Sequence, residues 1–169
     1  AGLPDHSPAS DPAVAPDLAT RLGPLQLEHP LINASGTMDI FALAETLGPQ
    51  VLEQPPVAAY TPKTVTLEPR FGNPAPRILE TTGGMINAVG LPGPGLKIFA
   101  QHELPRLLTL PCPLIVSIGG FRAREYVELA EGLGEALALV AGGSWTDAGW
   151  IGAGWVERVG LELNISCPN

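Results

Sequence analysis

Four short apolar runs, each closing on small or polar residues and each separated from the next by a long or helical stretch, restrict this chain to a parallel α/β architecture. The runs are Leu31-Ile32 entering Asn33-Ala34-Ser35-Gly36, and Val57-Ala58-Ala59-Tyr60 before Pro62-Lys63-Thr64. The third is Leu114-Ile115-Val116-Ser117-Ile118, closed by Gly119-Gly120, and the fourth is Leu161 to Ile165, which runs into Asn164 to Asn169. Antiparallel neighbours can be joined by a two-residue turn, whereas parallel neighbours need a crossover of about a dozen residues or more. Functional side chains in such sheets gather at the carboxyl ends of the strands. The final segment, Asn164-Ile165-Ser166-Cys167-Pro168-Asn169, sets two amides and a thiol at one such end.

A chain of 169 residues can bury a real core, but the commonest α/β barrel takes about 250 residues. One domain, or part of one, is expected. Hydrophobic residues at 45% indicate a globular interior, and the 20 glycines and 19 prolines predict many short connections. The net charge of -8, without a Lys/Arg cluster, argues against a nucleic-acid or anionic-membrane surface, since both need a basic footprint. The N-terminal residues do not read as a secretory signal, and no stretch reaches the roughly 18 apolar residues of a membrane span. A cytoplasmic protein with reduced thiols at Cys112 and Cys167 is expected. Neither cysteine has metal-ligand spacing.

Positions 1–20 read as a flexible leader, Ala-, Pro-, Ser- and Asp-rich to about Asp17, with the folded unit over 21–169. Leu25-Gln26-Leu27-Glu28 alternates as a short ribbon before the first strand. Phe41 to Leu47 predicts a short helix, and Leu96 to Leu108 another, interrupted near Pro105. A third has Tyr126, Leu129, Ala130, Leu133 and Leu137 on one face, with Arg124, Glu125, Glu128 and Glu131 on the wet one. Leu67 to Gly95 is too long for an ordinary connection and reads as an ordered functional loop. Ala141 to Gly154 reads as a surface loop inserted before the fourth strand. The glycines of Gly152-Ala153-Gly154 and of Leu91 to Gly95 do not complete a nucleotide-binding loop.

Four segments give the chain a resemblance to a known family. They are Asn33 to Thr37; Lys63-Thr64-Val65-Thr66-Leu67-Glu68-Pro69-Arg70-Phe71-Gly72-Asn73-Pro74; Gly83-Gly84-Met85-Ile86-Asn87-Ala88-Val89-Gly90-Leu91; and Asn164 to Asn169. In this order the chain, from about Leu22 to Asn169, resembles the N-terminal half of a class 1 dihydroorotate dehydrogenase, most closely of subclass 1B. The resemblance implies the first four strands of a (β/α)₈ TIM barrel of the FMN-linked oxidoreductase type. It implies oxidation of dihydroorotate to orotate in pyrimidine (UMP) biosynthesis. It also implies an electron-transfer partner subunit carrying FAD and an iron–sulfur cluster, and a homo-oligomer or a complementing C-terminal half.

The resemblance also assigns roles. Ala34, Ser35 and Gly36 resemble the floor beneath FMN, Lys63 the lysine that touches flavin and orotate, and Thr64 its flavin-contacting neighbour. A cation at Lys63 suits the negative charge that hydride arrival leaves at the flavin pyrimidine edge. Asn87, Ala88, Val89, Gly90 and Leu91 resemble the loop that holds the substrate pyrimidine, with Asn164 and Asn169 adding amide contacts; Asn164 also faces FMN. An Asn side chain offers one donor group and one acceptor, matching the N–H and C=O pattern of orotate. Cys167 resembles the catalytic base that removes the C5 proton while hydride passes from C6 to flavin.

Two positions depart from the family pattern. Ser117 stands where Asn is usual at the third strand's end, and it is expected to donate to flavin over a shorter reach. Gly93 also stands where Asn is common. The late barrel strands that hold the flavin phosphate fall outside these residues, so this chain alone is expected to be inactive. A related dihydropyrimidine flavoenzyme and a non-catalytic half-barrel are the alternative readings.

Overall fold

The computed structural model describes residues 17–141, 144–146, 149–151 and 157–166. Most of the expected leader, together with Cys167, Pro168 and Asn169, lies outside the described residues.

The chain enters through a small antiparallel ribbon, β1 (Thr20–Leu22) with β2 (Leu25–Leu27), turned at Gly23 with φ 57. Thr20 therefore already belongs to a strand. Leu25 and Leu27 alternate with exposed Gln26 and point into a buried cluster with Ala58, Ala59 and Ile115. The ribbon thus plugs the underside of the sheet.

The four apolar runs lie side by side and parallel, in chain order. Ile32 bridges Ala59, Tyr60 bridges Leu114, Val65 bridges Ile118, and β5 (Leu114–Ile118) pairs with β8 (Val159–Leu163) over five residues. The first two runs pair through isolated bridges, because Pro62 and the Ser35–Gly36 turn interrupt their ladders. The parallel strands remain open among the described residues and do not close into a barrel.

Side-chain alternation on β5 divides the molecule into two layers. Leu114, Val116 and Ile118 face the helices and join the main core with Ile40, Phe99, Leu104, Leu107, Leu129 and Leu133. Ile115 and Ser117 face the other way, toward the ribbon and the strand ends. On β8, Leu161 and Leu163 share the helix-side parity of Val116 and Ile118, yet stand 47% and 57% exposed, since no described helix covers them.

Helix α1 (Ile40–Leu47) starts where Asp39 caps it, its Oδ1 accepting from the backbone N–H of Phe41 and Ala42. A short helix, α2 (Gln50–Glu53), follows. The stretch expected to break near Pro105 is continuous. It runs from α3 (Gly95–Ile98) through a π-helical turn at Phe99–Glu103 into α4 (Leu104–Leu107). Proline has no N–H and its ring excludes a normal carbonyl four residues back. The wider turn just upstream, with Leu104 N–H donating to Phe99, absorbs that conflict.

The long loop after the second run contains an unanticipated hairpin, β3 (Ile78–Thr81) with β4 (Gly84–Asn87), turned at Thr82-Gly83. Helix α5 (Ala123–Ala141) spans the expected amphipathic segment, with Leu129 and Leu133 buried. The insertion read as a surface loop forms a third ribbon, β6 (Ser144–Thr146) with β7 (Gly149–Ile151). Trp145 and Trp150 are register partners there, a pairing that turn composition alone does not reveal. Among the described residues no helix is long and apolar enough to cross a membrane, and no group of three metal-ligating side chains forms.

Candidate active site

The carboxyl ends of all four parallel runs meet in one hydrogen-bonded cluster. Ser35 Oγ donates to the Pro62 carbonyl at 2.9 Å and lies 3.0 Å from Thr64 Oγ1. Thr64 Oγ1 is in turn 3.0 Å from Ser117 Oγ and accepts from Asn164 Nδ2 at 3.1 Å. Each run thus contributes one polar side chain. Thr64 and Ser117 are buried, Ser35 and Asn164 partly so. A buried hydroxyl without a partner costs about 1–3 kcal/mol, so this convergence holds the strand ends in register.

Small residues let the ends come this close. A Cβ on Gly119 would fall 2.8 Å from Thr64 Cγ2 and 3.8 Å from Asn164 Cβ. At Gly36, with φ +74, a Cβ would fall 2.9 Å from Lys63 Cδ and 3.0 Å from its Nζ. The exposed Lys63 side chain therefore lies across Gly36, at the rim of the cluster. Ala34 accepts from Thr37 through its carbonyl, closing the turn that presents Ser35 and Gly36.

Two residues given no role in the sequence reading hold this site in place. Asn33 is 8% exposed; its Nδ2 donates to the Thr61 carbonyl at 2.7 Å and its Oδ1 accepts from Thr61 N–H at 2.8 Å, locking the first two runs together. Tyr126, read only as an apolar helix position, donates its hydroxyl to the Asn164 carbonyl at 2.7 Å and lies 3.1 Å from that of Gly120. It ties α5 to the ends of β5 and β8. Alternation would not have revealed it, because the ring packs with the core while the hydroxyl reaches the strand ends.

The loop Asn87 to Leu91 reaches the cluster at one end only. Leu91 is buried, sits at φ 51, and brings its Cδ1 within 3.5 Å of where a Gly119 Cβ would stand. A leucine there costs about 1–2 kcal/mol in backbone strain, so surrounding contacts must enforce it. Those contacts come from the preceding arm. Asn73 Nδ2 donates to the Ala88 carbonyl, Asn73 N–H to that of Val89, and Arg70 Nε to that of Gly90. Arg70 also lies over the Phe121 ring at 4.6 Å. Asn87 ends β4 opposite Ile78 and is exposed; its side chain makes no hydrogen bond to the cluster among the described residues.

Beside Lys63 a cleft of about 430 Å³ opens between α1 and α4, lined among others by Asp39, Phe41, Tyr60, Glu103 and Arg106. Burial pushes the Glu103 carboxyl above its ordinary range; Asp39 adds to the rise and Arg106 opposes it. Arg106 stacks on Phe41 at 3.9 Å. The Tyr60 hydroxyl, raised by burial, donates to the Met38 carbonyl. Cys112 packs half-buried against the core, and burial raises its thiol, which suits a structural residue.

The structure thus brings Ser35, Gly36, Lys63, Thr64, Ser117, Asn164 and Leu91 together. Ala88, Val89 and Gly90 lie on the arm leading in, and Cys167 and Asn169 lie outside the described residues. The catalytic subunit of dihydroorotate dehydrogenase B (NAD(+)) from Geobacter metallireducens is 38% identical over 155 residues, 91% of this chain and 43% of the relative. The subunit of the same name from Geobacillus kaustophilus is 39% identical over 152 residues, 90% of this chain and 41% of the relative. The chain thus spans less than half the length of these relatives. The model of the family described as dihydroorotate dehydrogenase matches residues 17–141, through three of the four strand ends that build the cluster, and the chain belongs to that family.

Proposed function

We propose that this chain supplies the amino-terminal strands of a class 1B dihydroorotate dehydrogenase, which oxidises dihydroorotate to orotate in cytoplasmic pyrimidine (UMP) synthesis. The barrel would be a (β/α)₈ TIM barrel, with its remaining strands continuing from the uncovered side of β8. The observation that carries the reading is the meeting of Ser35, Thr64, Ser117 and Asn164 at one end of the parallel strands, with Lys63 crossing Gly36 beside them. A purely structural strand end has no need of a cation laid over a glycine.

The residues present fit FMN as cofactor. Ala34, Ser35 and Gly36 offer a floor of small side chains with Thr64 beside it, and the Lys63 ammonium and the remaining N–H of Asn164 suit a ring edge rich in carbonyl oxygens. FMN, when bound, supplies the acceptor for the hydride that leaves C6 of dihydroorotate. The Lys63 ammonium stabilises negative charge at that edge, and its worth rises as water is excluded. Asn87 to Leu91 enclose the substrate pyrimidine, with Asn164 and Asn169 pairing with its amide edges. The Cys167 Sγ would take the proton from C5 of dihydroorotate while the hydride leaves from C6. The same strand end that carries Asn164 into the cluster leads within three residues to that thiol, which supports this placement.

The relatives' name, catalytic subunit of an NAD(+) enzyme, supports a partner subunit; that the partner carries FAD and an iron–sulfur cluster, and that the assembly is homo-oligomeric, are parts of the same proposal. The test joins this chain to the carboxyl-terminal remainder of the Geobacter metallireducens relative. The purified protein is expected to retain FMN and to be bleached anaerobically by dihydroorotate but not by dihydrouracil. Bleaching by dihydrouracil alone would reassign the substrate, and a colourless folded protein would overturn the enzymatic reading.

A further inference from the structure

The hydrogen bonds around Thr64 can be assigned a direction. Four heavy-atom contacts meet there: Ser35 Oγ to the Pro62 carbonyl oxygen, Ser35 Oγ to Thr64 Oγ1, Thr64 Oγ1 to Ser117 Oγ, and Thr64 Oγ1 to Asn164 Nδ2. A carbonyl can only accept, and a hydroxyl has one proton to give. The Ser35 proton is therefore committed to Pro62. The contact between Ser35 and Thr64 then requires the Thr64 proton, which leaves Thr64 an acceptor toward both remaining partners. Ser117 must donate to it, and the Asn164 amide must face it with nitrogen. No other assignment makes all four bonds.

We infer that Pro62, Ser35 and Thr64 form a directional relay that fixes the polarity of Ser117 and Asn164. The Asn164 amide is held with its nitrogen on Thr64, so its oxygen is left to accept. Ser117, with its proton spent on Thr64, presents only lone pairs and is no donor to a ligand. Reversing the amide would set lone pairs against each other about 3 Å apart in a buried site, or break the bond to Pro62. Ser35 and Thr64 are positioning residues in this scheme. For a ligand, the consequence is that Asn164 offers its oxygen as acceptor to a ring N–H and keeps only its second amide N–H for a carbonyl. That consequence rests on the functional reading above, whereas the amide polarity does not.

The test is made without ligand, so that the two can fail separately. In the full chain labelled with ¹⁵N and ¹³C, one Hδ2 proton of Asn164 is expected to exchange slowly and to show a nuclear Overhauser contact to Thr64. Ser35→Ala, which touches neither atom of the Asn164 amide, frees the Thr64 proton and lets either amide orientation pair with Thr64, so that contact and its exchange protection are expected to weaken. Ser117→Ala removes a direct neighbour of Thr64 yet leaves the relay to Pro62 intact, so the Asn164 signals should keep both features. The opposite pattern in the two variants would overturn the assignment. So would a wild-type spectrum in which both Hδ2 protons exchange freely and lack the Thr64 contact, a result that needs no variant to fold.

Discussion

The hydroxyl of Thr64 lies 3.0 Å from that of Ser117, fifty-three positions further along the chain, and joins the ends of two parallel strands inside the protein. Ser117 is fully buried and Thr64 3% exposed, so neither hydroxyl has water as a substitute partner. Thr64→Val keeps the shape of the side chain and removes the hydroxyl. It is expected to cost about 1–3 kcal/mol, the range for leaving a buried polar group unsatisfied. The double variant Thr64→Val, Ser117→Ala should cost less than the two single changes together, since the second change removes the orphan left by the first. Denaturant melts of the four proteins check this, and strict additivity would show that the hydroxyls do not depend on each other.

Gly36 and Lys63 are linked by space alone. Gly36→Ala introduces a Cβ where the Lys63 stem now runs and imposes φ +74 on a side-chain-bearing residue. The backbone term is expected to lower stability by about 1–2 kcal/mol. The lysine can swing aside, so the larger effect falls on the ammonium's position. In the chain completed by its relative's remainder, Gly36→Ala should weaken orotate binding, and Lys63→Ala should weaken it little further in the Gly36→Ala background. Fluorescence titration of the single and double variants checks this; full independent losses would separate the two residues.

The parallel runs were legible because each apolar body is followed by a small or polar end, as Val116 on β5 is by Gly119 just beyond it. The hairpin at Ile78–Asn87 was not. Its apolar residues Ile78, Leu79, Met85 and Ile86 are all exposed, so no burial pattern marks them. Thr64, Ser117 and Asn164 could each be picked out singly through family resemblance. Their joining could not, because Asn164 reaches Thr64 across one hundred positions and only the fold closes that distance. Tyr126 carries no motif at all, and Asn33, though it opens a matched segment, was given no role by it. Their importance lies in which carbonyls happen to stand opposite them.

Glu103 gives the fold a pH dependence opposite in sign to that of a salt-bridged carboxylate. Burial and Asp39 raise its folded pKa above the unfolded one, so the folded state binds the proton more readily. The ionised side chain therefore penalises folding at neutral pH, and the penalty fades as pH falls through the folded pKa, to vanish below the unfolded value of about 4.3. Glu103→Gln, which mimics the protonated form, is expected to raise Tm at pH 7 and to lose that advantage near pH 4. Thermal melts of both proteins across this window decide it. A gain that is unchanged at acid pH would point to packing in place of charge.

Cys167 stands three residues beyond Asn164, whose carbonyl is held by Tyr126 and whose amide is held by Thr64. With the strand end gripped at both groups, the short segment that follows starts from a fixed point and direction, which is what a base needs if it is to meet one ring carbon. A thiol also titrates near pKa 8.5, so the rate of a step that depends on it should climb with pH toward that value. In the completed protein, Cys167→Ala should keep FMN bound and slow flavin reduction by dihydroorotate about 10²–10⁴-fold. Cys167→Ser should restore part of the rate with its pH rise displaced upward, because a hydroxyl loses its proton less readily than a thiol. Stopped-flow bleaching across pH reads both. A rate that is unaltered in Cys167→Ala would remove the thiol from the reaction while leaving the cluster around Thr64 untouched.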